Sequence, residues 1–255
     1  MEKYDNRLYE EVGNALNNNT RFSYFYVSSC GNLFIPRYDH KDGLKYGSLT
    51  IDAFENRFIF SHISTALEKS LKSAEEGSLH EVEFIRHVEP SSPMKPVEFK
   101  GYFFAKESSI QLTPNNWIEL EKLNGLEIQV GGERSYGFGK LVIAGMERAA
   151  ETTDSSLFGD PDLEVALNDK PILRAKKGTF TLYAHMLTDC ASSFKTFQGD
   201  IEPVLGREWD REKGAGWSLK PAQICFVPGT RVEADGCVEM EITEQGLWKL
   251  LPPQG

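Results

Sequence analysis

Leu126-Glu127-Ile128-Gln129-Val130-Gly131-Gly132-Glu133-Arg134-Ser135-Tyr136-Gly137-Phe138-Gly139-Lys140-Leu141-Val142 is the stretch from which the fold is read. Its ends, Leu126 to Val130 and Lys140 to Ala144, are β-prone and read as two strands. Four glycines fall within the nine residues 131–139 that join them, whereas a plain hairpin turn needs one or two. Glycine has no Cβ and enters positive φ without strain. A bend so rich in it lets another chain approach the backbone and lets successive N–H groups converge on an anion. Arg134 and Lys140 offer charge to phosphate. Tyr136 and Phe138 offer rings to bases, each stacked base being worth roughly 1–3 kcal/mol. The candidate set is Gly131, Gly132, Arg134, Ser135, Tyr136, Gly137, Phe138, Gly139 and Lys140, with a purely structural hairpin as the alternative. Two phosphate fingerprints are absent. An NTPase loop needs Ser or Thr after its Lys and then a helix, but Lys140-Leu141 opens a strand. The spacing G-x-G-x-x-G fails because Val142 stands where its last glycine should be.

Upstream of the bend, residues 4 to 17 carry Leu8, Val12, Ala15 and Leu16 at helical spacing. Arg21 to Ser28 and Leu33 to Pro36 read as strands, and the charged, turn-rich Arg37 to Ser48 as a loop or protruding hairpin. Arg57 to Ile63 and Leu79 to Arg86 are strand-like, with a helix or irregular crossing over Ser64 to Ser73 between them. After Pro90, Pro93 and Pro96 a strand is expected over Val97 to Ala105. Thr113 as N-cap, Pro114 at the first helical position and Gly125 as C-terminal cap predict a helix carrying Trp117, Leu120 and Leu123. Downstream, residues 147 to 171 read as an acidic linker and Thr179 to His185 as a strand. Gly199 to Trp217 reads as a charged loop, and Ala222 to Ile242 as a β-rich region with a turn at Pro228-Gly229. The order predicts an α+β protein in two halves, 1–150 and 151–255.

The composition is 40% hydrophobic and 26% charged, which suits a folded chain of 255 residues. No apolar run long enough to span a membrane is present, and the charged first residues lack the apolar core of a signal peptide, so a cytoplasmic protein without membrane partners is expected. Cys30, Cys190, Cys225 and Cys237 form no CxxC pair and read as reduced thiols in or near the core, with neither zinc nor a disulfide framework. The net charge of −10 opposes simple duplex binding. Local clusters matter more at a groove, and Lys170, Arg174, Lys176 and Lys177 form a basic one.

Val130 to Val142 resembles the glycine-rich loop of the RAMP superfamily of CRISPR-associated proteins, in the order strand, G-G-x-R-S-x-G-x-G-K/R, strand. Ser64-Thr65-Ala66 followed by Ala74-Glu75-Glu76-Gly77-Ser78-Leu79 is similar to a stretch preceding a strand in these proteins. Lys220-Pro221 and Val227-Pro228-Gly229-Thr230 are similar to a turn near the C-terminus of some members. The layout resembles the Cas family-five branch of type III and type III-derived effectors, because a long stretch follows Gly139. The related family-six endoribonucleases carry the loop close to the C-terminus. The resemblance implies a ferredoxin-like (RRM-like) domain with an antiparallel sheet over 1–150, then a second β-rich half of degenerate ferredoxin-like character. It further implies a non-catalytic subunit without cofactor that caps the 5′ handle of the guide RNA (crRNA). The partners implied are the backbone Cas subunits and a large or nuclease subunit of the effector. A repeat-RNA endoribonuclease or a backbone-forming subunit is the alternative.

Other residues are read both ways. Arg37 and Lys45 lie in the expected protrusion, which the resemblance casts as a base-wedging thumb. Lys176 and Lys177 either touch phosphate or sit on a solvated turn. His62 and His80 fit general acid–base work or plain strand positions. Arg207, Trp209, Arg211, Lys213 and Trp217 have the composition of a single-stranded RNA groove, though a core anchor explains Trp217 equally well. Asp160-Pro161-Asp162 reads as a solvated loop rather than a metal site.

Overall fold

In the computed structural model, residues 6–65, 79–148, 156–167, 170–176, 178–210 and 212–252 are described. They group into two units, Tyr26–Lys100 in one and Met1–Phe25 with Gly101–Gly255 in the other. This grouping differs from the expected 1–150 and 151–255 halves. The reason is a set of long-range bonds that no local pattern reports. The Arg21 guanidinium is buried and donates to the carbonyl of Ile242 at 3.2 Å and of Thr20 at 2.6 Å. The Tyr24 hydroxyl meets His185 Nδ1 at 2.7 Å. The Tyr102 hydroxyl accepts from the Phe158 N–H at 3.1 Å. Residues 101–148 therefore belong with the C-terminal strands.

Within the 26–100 unit, Tyr26–Ser29 runs between Glu98–Lys100 and Asn32–Leu33, antiparallel to both. Pro36–Asp39, Gly43–Tyr46 and Leu49–Thr50 form a meander, so the expected protrusion is a hairpin. The Arg57 to Ile63 strand is corrected at its start, because Ile51–Phe58 is a helix. Thr50 caps it by accepting the Ala53 N–H at 3.3 Å, and Asp52 lies in its first turn. Phe54 and Phe58, four apart, reach the same core as Val27 and Phe34. Ile59–Ser64 then pairs with His80–Ile85. Most of the Ser64 to Ser73 crossing and of the Ala74 to Leu79 stretch lies outside the described residues.

One buried charge organises this unit. Glu89, 1% exposed, accepts from Arg57 through both oxygens, Nε to Oε1 at 2.9 Å and Nη2 to Oε2 at 3.0 Å. Ser29 donates to it at 2.6 Å and Ser91 at 3.1 Å. The guanidinium in turn lies over the Phe34 and Phe58 rings. Chiefly through the Arg57 hydrogen bonds, and against the cost of burial, the Glu89 pKa falls from 4.5 to about 2.

In the other unit, helix Asn6–Asn19 appears where its periodicity places it. The strand expected over Arg21 to Ser28 is two, Thr20–Phe22 and Tyr26–Ser29. That over Val97 to Ala105 also divides, at Gly101, where a Cβ would lie 2.7 Å from the Tyr24 carbonyl oxygen. The helix expected after Thr113 is a further correction. Ser109–Thr113 and Asn116–Glu119 form a hairpin, with a short 3₁₀ turn over Leu120–Leu123. Pro114 and Asn115 make its turn, and Ile118 pairs across to the buried Ile110, so strand pairing overrides the capping signals.

The linker expected over 147–171 holds a strand, Leu163–Leu167, paired with Pro171–Ala175. Leu163, Val165, Leu173 and Ala175 alternate inward, as a half-buried strand requires. These two begin a seven-stranded sheet in the order 163–167, 171–175, 238–242, 248–250, 186–187, 223–226, 201–204. Its core contains Trp248, Tyr183, Phe226, Met186, Met240 and Ile242, all nearly inaccessible to water. A three-stranded sheet of Thr179–Thr181, Arg231–Ala234 and Phe194–Gln198 accompanies it. The charged loop over Gly199 to Trp217 proves to be strand Ile201–Val204 and a hairpin of Arg207–Asp210 with Gly214–Leu219. The Pro228-Gly229 turn is present, closed by Thr230 N–H to Val227 O at 3.2 Å with Gly229 at φ 94°. The described residues thus form an α+β protein of sheets that are antiparallel apart from the Met186–Trp248 pairing, with no α-helix in the described part of 156–252. Cys225 is buried as expected, but Cys30 and Cys237 are exposed. No described helix is long and apolar enough to cross a membrane.

Breaking the Glu89 network should be costly. Glu89→Ala is expected to destabilise the fold by about 3 kcal/mol in urea titrations, since it strands a charged partner. Because the folded-state pKa is depressed, the contribution is complete above the ordinary value of 4.5 and fades as pH falls toward about 2. Melting temperatures of the native protein from pH 6 to pH 2 should therefore fall more steeply than those of Glu89→Gln.

Candidate nucleic-acid interface

Glu127–Gln129 and Lys140–Val142 pair in antiparallel register, Gln129 opposite Lys140. The ladder extends through Val130 N–H to Gly139 O at 2.9 Å. Beyond it the chain swings out in a 3₁₀ turn over Arg134–Tyr136, with Glu133 at φ 51° and Gly137 at φ 89°. The Gln129 side-chain amide donates to the carbonyls of Arg134 at 3.0 Å and Phe138 at 3.1 Å, holding both shoulders of the loop from below. The loop is exposed nearly throughout. Tyr136 is 71% accessible, and Phe138 is half-buried.

The four glycines are not equivalent. Gly139 is required by the chain itself: its φ is 75° and a Cβ would stand 1.7 Å from the Val130 carbonyl oxygen. Gly131 and Gly137 have positive φ in open space. Gly132 has neither a positive φ nor any atom within 4 Å of where its Cβ would be. Among the described residues, the N–H groups of Gly131, Gly132, Glu133 and Arg134 donate to nothing, nor does the Arg134 guanidinium. This corner thus offers several amide donors and one cation to an incoming anion. Lys140 is paired with Glu127 at 2.9 Å, both 62% exposed. Such a pair is worth about 0–1 kcal/mol, which a phosphate can outbid. Glu127 and Gln129, the partner and the clamp, escaped the sequence reading because their roles exist only through cross-strand register.

Arg37 and Lys45 stand directly opposite each other in the 26–100 unit, so both charges lie on one face of their hairpin. Arg37 has interactions of its own, and Lys45 is ion-paired with Asp42, whose hydrogen bond raises its pKa. Asp39 closes the turn by accepting the Lys41 and Asp42 N–H groups, which lower its pKa. The basic stretch near 174–177 is answered across strands. Arg174 pairs with Glu239 at 2.6 Å, which raises its pKa, and Lys176 pairs with Glu164. Lys177 lies outside the described residues. Arg174 and Lys176 are therefore each answered by a carboxylate of a neighbouring strand rather than standing open to solvent anions.

His62 and His80 are both exposed and lie on one face of a hairpin, with His62 opposite Val82 and His80 opposite Ser64. Asp160 is occupied structurally, accepting from the Tyr183 hydroxyl at 2.7 Å and the Asp162 N–H at 3.0 Å. A further group was invisible in sequence. Tyr24 hydroxyl meets His185 Nδ1, and His185 Nε2 meets Glu202 Oε1 at 2.6 Å. Burial pushes Tyr24 up to about 12, so the phenol stays protonated and the relay acts as a clip.

No protein-family model and no curated protein matches this chain. Among solved structures, it is similar to a chain of the Type III-B Cmr-beta bound to cognate target RNA and AMPPnP, state 1. That match has a TM-score of 0.49 and 13% identity, covering 88% of this chain and 69% of that one. A chain of the Type III-B Cmr-beta bound to cognate target RNA gives 0.48 and 14%, covering 87% and 67%.

The differing demands on the glycines are testable. Gly139→Ala should open the base of the loop, read as faster hydrogen exchange at the Val130 amide. Gly132→Ala should leave that exchange rate and the melting temperature unchanged.

Proposed function

We propose that this chain is a non-catalytic subunit of a type III-class CRISPR ribonucleoprotein effector, of the Cas family-five kind, which caps the 5′ handle of the guide RNA. The observation that carries this reading is Gly132. Neither backbone conformation nor packing within the chain calls for a glycine there. A polynucleotide laid against the bare amides of residues 131–134 does, because a side chain at 132 would stand in its path. Arg134 neutralises a phosphate, Lys140 exchanges Glu127 for another, and exposed Tyr136 stacks on a base. The sequence resemblance over Val130 to Val142 supports the same assignment, and a ferredoxin-like ancestry of the chain belongs to it. The protein's net charge of −10 then serves contact with basic partner subunits away from the loop.

A second reading, metal-independent cleavage of repeat RNA, is favoured by the shared face of His62 and His80. It requires handle-specific cleavage in EDTA that disappears in His62→Ala.

Filter binding with cognate repeat RNA tests the first reading. Gly132→Val and Arg134→Ala should each weaken binding about tenfold, equivalent to about 1.4 kcal/mol. Unchanged affinity in both variants would remove the basis for the proposal.

A further inference from the structure

The hairpin of Arg207–Asp210 with Gly214–Leu219 pairs with no other strand among the described residues. Its ladder is regular from Arg207 opposite Leu219 to Glu208 opposite Ser218. It then shifts, so that Trp209 faces Ala215 and the residues Gly216 and Trp217 bulge outward. Bulges of this kind redirect a side chain. Gly216 supplies the positive φ, 81°, that the bulge needs. The Arg207 guanidinium fixes it by donating to the Gly216 carbonyl at 3.2 Å, with its own Cδ 3.8 Å from where a Gly216 Cβ would be. Asp210 closes the tip, accepting the N–H groups of Glu212 at 2.9 Å and Lys213 at 2.8 Å, which lower its pKa.

This construction presents an aromatic ring to solvent. Trp217 is 68% exposed, which excludes a core-anchor role. The Lys213 ammonium lies 5.8 Å from its ring centroid. Of the other charges nearby, Glu208 pairs with Lys220 at 2.5 Å and Asp210 serves the turn, while Glu212 stands exposed beside Lys213. In a chain of net charge −10, the stretch from Leu205 to Lys220 carries four basic residues against three acidic ones. An indole with an ammonium beside it matches one chemical pattern, a flat base with a phosphate next to it.

We infer that Trp217 and Lys213 form a second nucleic-acid contact, which stacks one unpaired base of a single-stranded RNA and neutralises its adjoining phosphate. Arg207 is the positioning residue that holds the bulge. The inference rests on the proposed RNA-binding role of the chain but uses a different element from the glycine loop.

The test is fluorescence anisotropy with a short labelled oligouridylate, which lacks any handle sequence, alongside crosslinking with the 4-thiouridine form. Trp217→Ala should lose roughly tenfold in affinity, and Trp217→Phe, which keeps a ring, should lose much less. Lys213→Gln should reduce the slope of log affinity against log salt by about 0.7. The crosslink should map to the 214–219 strand. Oligouridylate affinity unchanged in Trp217→Ala overturns the inference, even if that variant loses a protein partner. Because the repeat-RNA assay with Gly132→Val reads the glycine loop separately, either site can fail while the other stands.

Discussion

A strand of three residues, Trp248–Leu250, joins the two parts of the seven-stranded sheet. On one side it runs antiparallel to Val238–Ile242, and on the other its Trp248 lies parallel to Met186. The Trp248 ring is fully buried against Tyr183, and the Trp248 N–H donates to the His185 carbonyl at 2.8 Å. Without this strand the sheet would separate into two fragments, each exposing an apolar face. The ties that bring the N-terminal segment in, Arg21 to Ile242 and Tyr24 to His185, end on or beside the same strands. The joining of the large sheet, and with it the seat of the N-terminal segment, therefore follows from the short stretch Trp248–Leu250.

The legible parts of the sequence were those encoded locally. The glycine bend, its two strands, the first helix and the Pro228-Gly229 turn depend on neighbours within a few residues. The segment after Thr113 misled because Pro114 starts helices and also makes turns, and only the distant choice of partner for Ile118 decides between them. The helix at Ile51–Phe58 carried a readable signal in Thr50, Asp52, Phe54 and Phe58, but the aromatic, β-prone residues from Arg57 onward obscured it. Leu163–Leu167 and Pro171–Ala175 were hidden by acidic surroundings, although their inward residues alternate.

At the candidate site, the residue types were legible and their pairing was not. Arg174 and Lys176 look unopposed in sequence, yet Glu239 and Glu164 reach them across the sheet. Lys140 meets Glu127 for the same reason. What remains is a corner of backbone amides with Arg134 beside it, where the local charge departs from the acidic character of the whole chain. The exposed Trp217 was likewise undecidable from composition, because burial is settled by the bulge rather than by the residue.

The strand order also determines how the large sheet meets its surroundings. Its margins are Leu163–Leu167 and Ile201–Val204. Ser156 bridges to Glu164 along the first, covering part of its outer side. The second contains Pro203, which has no N–H to donate, beside the charged Glu202. Neither border offers an unbroken row of hydrogen-bonding groups to a foreign strand, so the sheet is guarded at both ends against edge-to-edge aggregation.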